Sequence, residues 1–163
     1  MSHTKRFEWT NGEVFAALQA MADVCTPGNR YPVVTSVRAH RNQRKVAEAW
    51  ADPEKVRLEL IVEHGEKRPD GSIRVLPEMD GQAAFSKAFN ELCAMNGQAV
   101  ELDILSLAEI EKGYTKDPNT GAKEELGIAP DSIGTLMDLG VVTEDGKPLP
   151  DAEEPETEEE EKS

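Results

Sequence analysis

The chain has 163 residues, 32 acidic against 18 basic side chains for a net charge of −14, and 38% hydrophobic content. That suits one domain with a modest core. No stretch approaches the ~20 apolar residues that span a bilayer, and residues 1–8 hold no apolar run of the secretory kind.

Phe7 and Trp9 alternate with Arg6, Glu8 and Thr10, the period of a short half-buried strand. Asn11 offers a side-chain oxygen to cap a helix over 12–25, in which Val14, Leu18, Met21, Ala22 and Cys25 share one face. The loop residues 25–32 end it.

A second helix is expected from Val33 to Ala51, packed through Val33, Val34 and Val37 at one end and Val46, Ala47 and Trp50 at the other. Its middle, Arg38 to Lys45, has no apolar side chain larger than Ala39. Spacings of three and four place Arg38, Arg41, Asn42 and Lys45 on one face, with Arg44 to the side. Asp52-Pro53-Glu54 then reads as the start of a new helix, with Asp52 as cap and Pro53 in the first turn. Val56 and Leu60 continue it, Leu58, Ile61 and Val62 widen its apolar face, and Gly65 stops it.

Arg68-Pro69-Asp70-Gly71-Ser72 predicts a tight turn leading into a short strand at 73–75. Asp80 is the expected cap of a helix whose Phe85, Ala88, Phe89, Leu92 and Cys93 form a core stripe, closed by Asn96-Gly97. Val100, Leu102 and Ile104 alternate with Glu101 and Asp103 as the best strand in the chain. Asp117-Pro118-Asn119-Thr120-Gly121 predicts a hairpin turn, and Pro130 opens a brief helix that Gly140 ends.

The sum is an α+β, helix-dominated small domain with a few short antiparallel strands. It is expected to occupy residues 1–142. Residues 143–163 carry ten acids, two lysines and one bulky aliphatic, Leu149, and are expected to be a disordered acidic tail. Such a tail can mimic nucleic acid or dock on a basic partner, or merely solubilise the chain.

The arginine-rich helix, the charged segment ending in Glu63-His64-Gly65-Glu66-Lys67, the Pro69-Asp70-Gly71 turn, the helix with Phe85, Phe89, Glu91 and Leu92, and then Val100-Glu101-Leu102-Asp103-Ile104 follow one another in order. Over about residues 34–110 that order resembles a family of small uncharacterised proteins of tailed bacteriophages. The resemblance implies a phage or prophage origin and action in the cytoplasm of the bacterial host or in the virion. The family has no settled activity that could be carried over.

His3, His40 and His64 lack metal-ligand spacing, and Cys25 and Cys93, each within an apolar helical pattern, are expected to be buried free thiols. A calcium loop beginning at Asp117 would need a bidentate Glu where Ile128 stands. No phosphate loop, nucleophile elbow or dinucleotide fingerprint occurs, so neither enzyme activity, metal nor cofactor is expected.

The basic face remains. Arg38, Arg41 and Lys45 could hold an anion while Asn42 reads a base or ribose. The same cations could instead pair with Glu48, Glu54, Glu59, Glu101 or Asp103. Duplex nucleic acid is disfavoured by the net charge. Two functions follow. One is a non-catalytic accessory binding protein, a homo-oligomer that sequesters a small nucleotide-like anion such as a host immune signal. The alternative is a structural, assembly or host-interaction protein with no small-molecule ligand.

Overall fold

The structure is a computed structural model and describes residues 3–150. Strand β1 (Thr4–Phe7) leads into helix α1 (Asn11–Val24). Thr10, not Asn11, caps α1: its hydroxyl accepts from the Glu13 N–H while the Glu13 carboxylate accepts from the Thr10 N–H. Asn11 sits one residue inside and is buried, its side chain donating to the Leu92 carbonyl at 3.0 Å. Val14, Ala17, Ala20, Met21 and Val24 give α1 its buried stripe.

Strand β2 (Asn29–Arg30) precedes helix α2, which runs unbroken from Val33 to His64. The two helices expected at 33–51 and 52–64 are therefore one, with Pro53 in its interior. Proline lacks the N–H that would reach the Ala49 carbonyl. Side chains bridge the weakened turn instead. Trp50 Nε1 donates to the Glu54 carboxylate at 2.8 Å, and Arg57 grips it with Nε at 2.8 Å and Nη2 at 2.6 Å. The Arg57 guanidinium foremost holds the Glu54 carboxyl below its usual range. At 1.5 Å per residue α2 is about 48 Å long. Its inner face buries Thr35, Ala39, Asn42, Val46, Ala49 and Trp50 against α1, the helix that follows it and the central strand.

A hairpin of β3 (Glu66–Lys67) and β4 (Ile73–Arg74) closes over the expected 68–72 turn. Helix α3 (Gln82–Ala94) starts after Gly81 rather than from an Asp80 cap. Gly81 lies so close to the His64 carbonyl that a Cβ has no room, so backbone contact sets this helix start. Of its expected stripe only Leu92 is buried. Phe85, Phe89 and Cys93 are half-buried, and Phe89 meets Phe15 edge-on with ring centres 6.0 Å apart.

Strand β5 (Val100–Asp103) pairs antiparallel with β1, Phe7 opposite Val100 and Thr4 opposite Asp103. Strand β6 (Leu105–Ser106) follows, then helix α4 (Leu107–Glu111), and the hairpin of β7 (Tyr114–Lys116) and β8 (Lys123–Glu124) turns at 117–121 as expected. Strand β2 pairs with the other edge of β7. Helix α5 (Pro130–Asp138) packs on α1 and ends at Gly140, whose φ of +79° suits glycine. There the Gly140 N–H donates to Met137 and the Val141 N–H to Leu136.

The chain then adds β9 (Val142–Thr143), parallel to β6. This pair departs from the expected all-antiparallel pattern, and the domain does not stop at 142. Thr143 and Gly146 are buried, the Thr143 hydroxyl donates to the Lys147 carbonyl, and the Lys5 ammonium donates to the Leu149 carbonyl. The acidic run from 151 onward lies outside the described residues. The fold is α+β and helix-dominated, with its core between α1, the inner face of α2, α5 and β5.

Candidate functional site

Helix α2 lies along the edge of β5 that β1 leaves open. Asn42 meets Asp103 there as another strand would: its side-chain oxygen accepts the Asp103 N–H at 2.9 Å and its amide donates to the Asp103 carbonyl at 2.8 Å. Asn42 is fully buried, and every polar atom of its side chain that faces β5 is committed. It therefore braces the fold and is withdrawn from the ligand site expected at Arg38, Arg41, Asn42 and Lys45. The middle of α2 does pack, through small or self-satisfied groups: Ala39, Asn42 and Val46 are all buried.

Arg41 and Lys45 flank this clamp. Arg41 Nη1 donates to the buried Asp103 carboxylate at 3.2 Å, and Lys45 Nζ donates to the Glu101 carbonyl at 2.9 Å. Both cations serve the α2–β5 contact on one side and meet solvent on the other. Arg38 differs. Among the described residues it makes no hydrogen bond or ion pair, and it lines a recess of about 250 Å³ with His3, Thr35, Ser106, Asp145 and Lys147. Glu109 on the rim is held by Lys112 at 2.7 Å, and Asp145 lies 3.9 Å from Lys147.

Of the side chains expected to pack at the ends of α2, Val46 and Trp50 are buried, and those on its outer face are not. Val33 is 80% exposed, Val37 51%, Leu58 50% and Val62 62%. They share one side of the helix: residues 33, 37, 40, 44, 47, 51, 55, 58 and 62 recur at spacings of three or four across Pro53. That recurrence is the signal in the sequence, hidden when the segment is divided at the proline. Val33, Val34 and Val37 form with Arg38 and Arg41 a shallow depression of about 280 Å³.

A larger apolar depression of about 490 Å³ lies between α4 and α5, lined by Leu107, Ile110, Leu126, Ile128 and Ile133. It holds no nucleophile, and its charged members are Glu111 and Glu125. No group of three His, Cys, Asp or Glu side chains placed to hold a metal occurs among the described residues. Cys25 and Cys93 are free and half-buried, and burial pushes the Cys25 thiol up to about 11 from 9.0. At pH 8 the thiolate fraction falls about 100-fold with that shift. Alkylation of Cys25 by iodoacetamide, followed by mass spectrometry, is expected to be slower by about that factor in the native protein than in denaturant. Equal rates would place the thiol in solvent.

No known protein family, curated protein or solved structure matches this chain. No described helix is long and apolar enough to cross a membrane.

Proposed function

We propose that this is a non-catalytic interaction protein, a structural, assembly or host-interaction component of the bacteriophage kind that its sequence resembles. It works in the bacterial cytoplasm or the virion by docking the outer face of α2 on another chain. One observation carries this: aliphatic side chains exposed by half or more at both ends of one face of a 32-residue helix. Two apolar clusters left at the ends of one helix face, with Ala47 and Ala51 between them, favour burial against a partner. The experiment is affinity purification of tagged protein from phage-infected cells, with Val37→Asp plus Val62→Asp as control. Wild type is expected to retain another chain in near-stoichiometric amount and the variant to lose it, with both melting alike. Equal retention by the two would contradict the proposal.

A second reading, an accessory protein that holds a small anion, is favoured by Arg38 alone. A recess of about 250 Å³ is below the ~300–1,000 Å³ of sites for drug-sized ligands. It suits inorganic phosphate or a small carboxylate better than a nucleotide or cyclic dinucleotide. A ligand at 100 times its Kd stabilises by about 2.7 kcal/mol. On this reading millimolar phosphate raises the melting temperature of the wild type by several degrees and that of Arg38→Ala by none. No rise in either, with phosphate or small carboxylates, dismisses the recess.

A further inference from the structure

Resting on the proposal that α2 is the docking element, we infer that its partner is the α2 of a second copy of this chain, lying antiparallel. Charge decides the occupant. The chain carries −14, so two copies repel over most of their surface. Helix α2 is the exception, with six basic and five acidic side chains.

These charges are segregated. Residues 33–47 hold four cations and no acid, while residues 48–64 hold five acids and two cations. A helix dipole favours acids near the N-terminus and cations near the C-terminus. The first turn of α2 holds no acid and its last turn holds Glu63, so the acids of α2 take no support from its own dipole. An antiparallel copy supplies the missing complement at both ends.

Apolar and charged positions agree on one register. With Val33 opposite Val62 of the other copy, Val37 falls opposite Leu58. The two-fold axis then passes between Ala47 and Glu48; Ala47 and Ala51 allow close approach at the centre, where Arg44 falls opposite Ala51 and Lys55 opposite His40, their long side chains reaching outward to solvent. On the flank of this seam lie Arg38, Arg41 and Lys45 from one half and Asp52, Glu59 and Glu63 from the other. In that register Arg38 lies two residues from the level of Glu59 of the second copy, and Arg41 and Lys45 each lie two residues from the level of its Asp52. Asp52, Glu59 and Glu63 are exposed, and the Arg41 side chain remains 44% exposed beside Asp103. A parallel pair would set four cations against four cations. The seam from 33 to 62 is about 44 Å long.

Sedimentation equilibrium of the full chain tests the pairing. The 17.9 kDa chain is expected at twice that mass at tens of micromolar. Val37→Asp plus Val62→Asp, which buries two unpaired carboxylates per chain, is expected to raise the dissociation constant at least about 100-fold. Circular dichroism should show the variant still folded. Glu59→Arg weakens the dimer, and Arg38→Glu added to it restores the mass. A short thiol cross-linker joins copies of Val37→Cys plus Leu58→Cys, while either single variant stays at the background of Cys25 and Cys93. A monomer at these concentrations overturns the inference. So does a dimer indifferent to Val37→Asp plus Val62→Asp, or efficient cross-linking of Val37→Cys alone. If the chain is monomeric and yet that same pair of Asp substitutions abolishes retention of a different protein from infected cells, docking by α2 stands and only self-pairing falls.

Discussion

Asn42→Ala is expected to destabilise the protein by about 3 kcal/mol, far more than substitution of the flanking Lys45. The substitution leaves the Asp103 N–H and C=O, both on the buried edge of β5, without partners. Each orphaned group costs about 1–3 kcal/mol, and the lost side chain leaves a void between α2 and β5 that adds to this. A domain of this size moves by about 2–4 °C per kcal/mol, so the melting temperature should fall by roughly 6–12 °C. Asn42→Asp should be worse, since a carboxylate cannot donate to the Asp103 carbonyl and places a second negative charge beside the Asp103 side chain. Lys45→Ala is the control. Its ammonium meets the Glu101 carbonyl in an exposed contact, and a hydrogen bond of this kind contributes about 0.5–1.5 kcal/mol. Thermal melts at one fixed protein concentration check the series. If Asn42→Ala costs no more than Lys45→Ala, the clamp is not what joins α2 to the sheet.

Pro53→Ala is expected to do the opposite and stabilise the fold by about 2 kcal/mol. Proline inside a helix costs about 3 kcal/mol relative to alanine, chiefly through the lost hydrogen bond, here to Ala49, and its ring against the preceding turn. Against this, alanine frees the unfolded chain and gives back about 1 kcal/mol. The Trp50–Glu54–Arg57 bridge survives the change, because none of its hydrogen bonds uses the backbone of residue 53. Urea denaturation should therefore show a higher midpoint with an unchanged slope. A lower midpoint would mean that the ring is worth more packed beside Leu92 and Met95, with which it lines a shallow depression, than the hydrogen bond it forgoes.

These two substitutions fall where local signals and tertiary context disagree, and there the sequence was least legible. Helices at α1, α3 and α5, the central strand with Leu102 and Ile104 buried, and the turns at 68–72 and 117–121 follow from periodicity and turn chemistry, but the expected caps of α1 and α3 do not hold, Ala22 of the expected α1 face is exposed, and of the α3 stripe only Leu92 is buried. Pro53 misleads because Asp-Pro-Glu is a good helix start by every local rule, while side chains bridging Trp50 to Arg57 carry the helix through it. Thr10 and Glu13 formed a capping box that the oxygen of Asn11 obscured. The 143–150 segment carried too few apolar residues to suggest a core, yet main-chain pairing of β9 with β6 and the hydrogen bond from the Ser106 hydroxyl to the Glu144 carbonyl hold it.

The basic face shows the same limit. Spacing placed Arg38, Arg41, Asn42 and Lys45 together, as the helix does, but spacing cannot say which side of the helix meets β5. The expected pairing of the cluster with acids of the same chain holds for Arg41 and Asp103, and Lys45 meets a backbone carbonyl of Glu101 instead. With Asn42 between Ala39 and Val46 at spacings of three and four, the buried line lay in the sequence as small and polar residues, which a search for bulky side chains passes over.

Helix α2 thus has one face that closes the core and one that is open, and pulsed electron paramagnetic resonance on single spin labels tests that division directly. A label at Glu48→Cys lies beside the inferred two-fold axis and should show a coupling shorter than about 20 Å between copies, while a label at Val33→Cys should show one near 44 Å. A short distance from Val33→Cys, or no coupling from either position at tens of micromolar, would contradict the account.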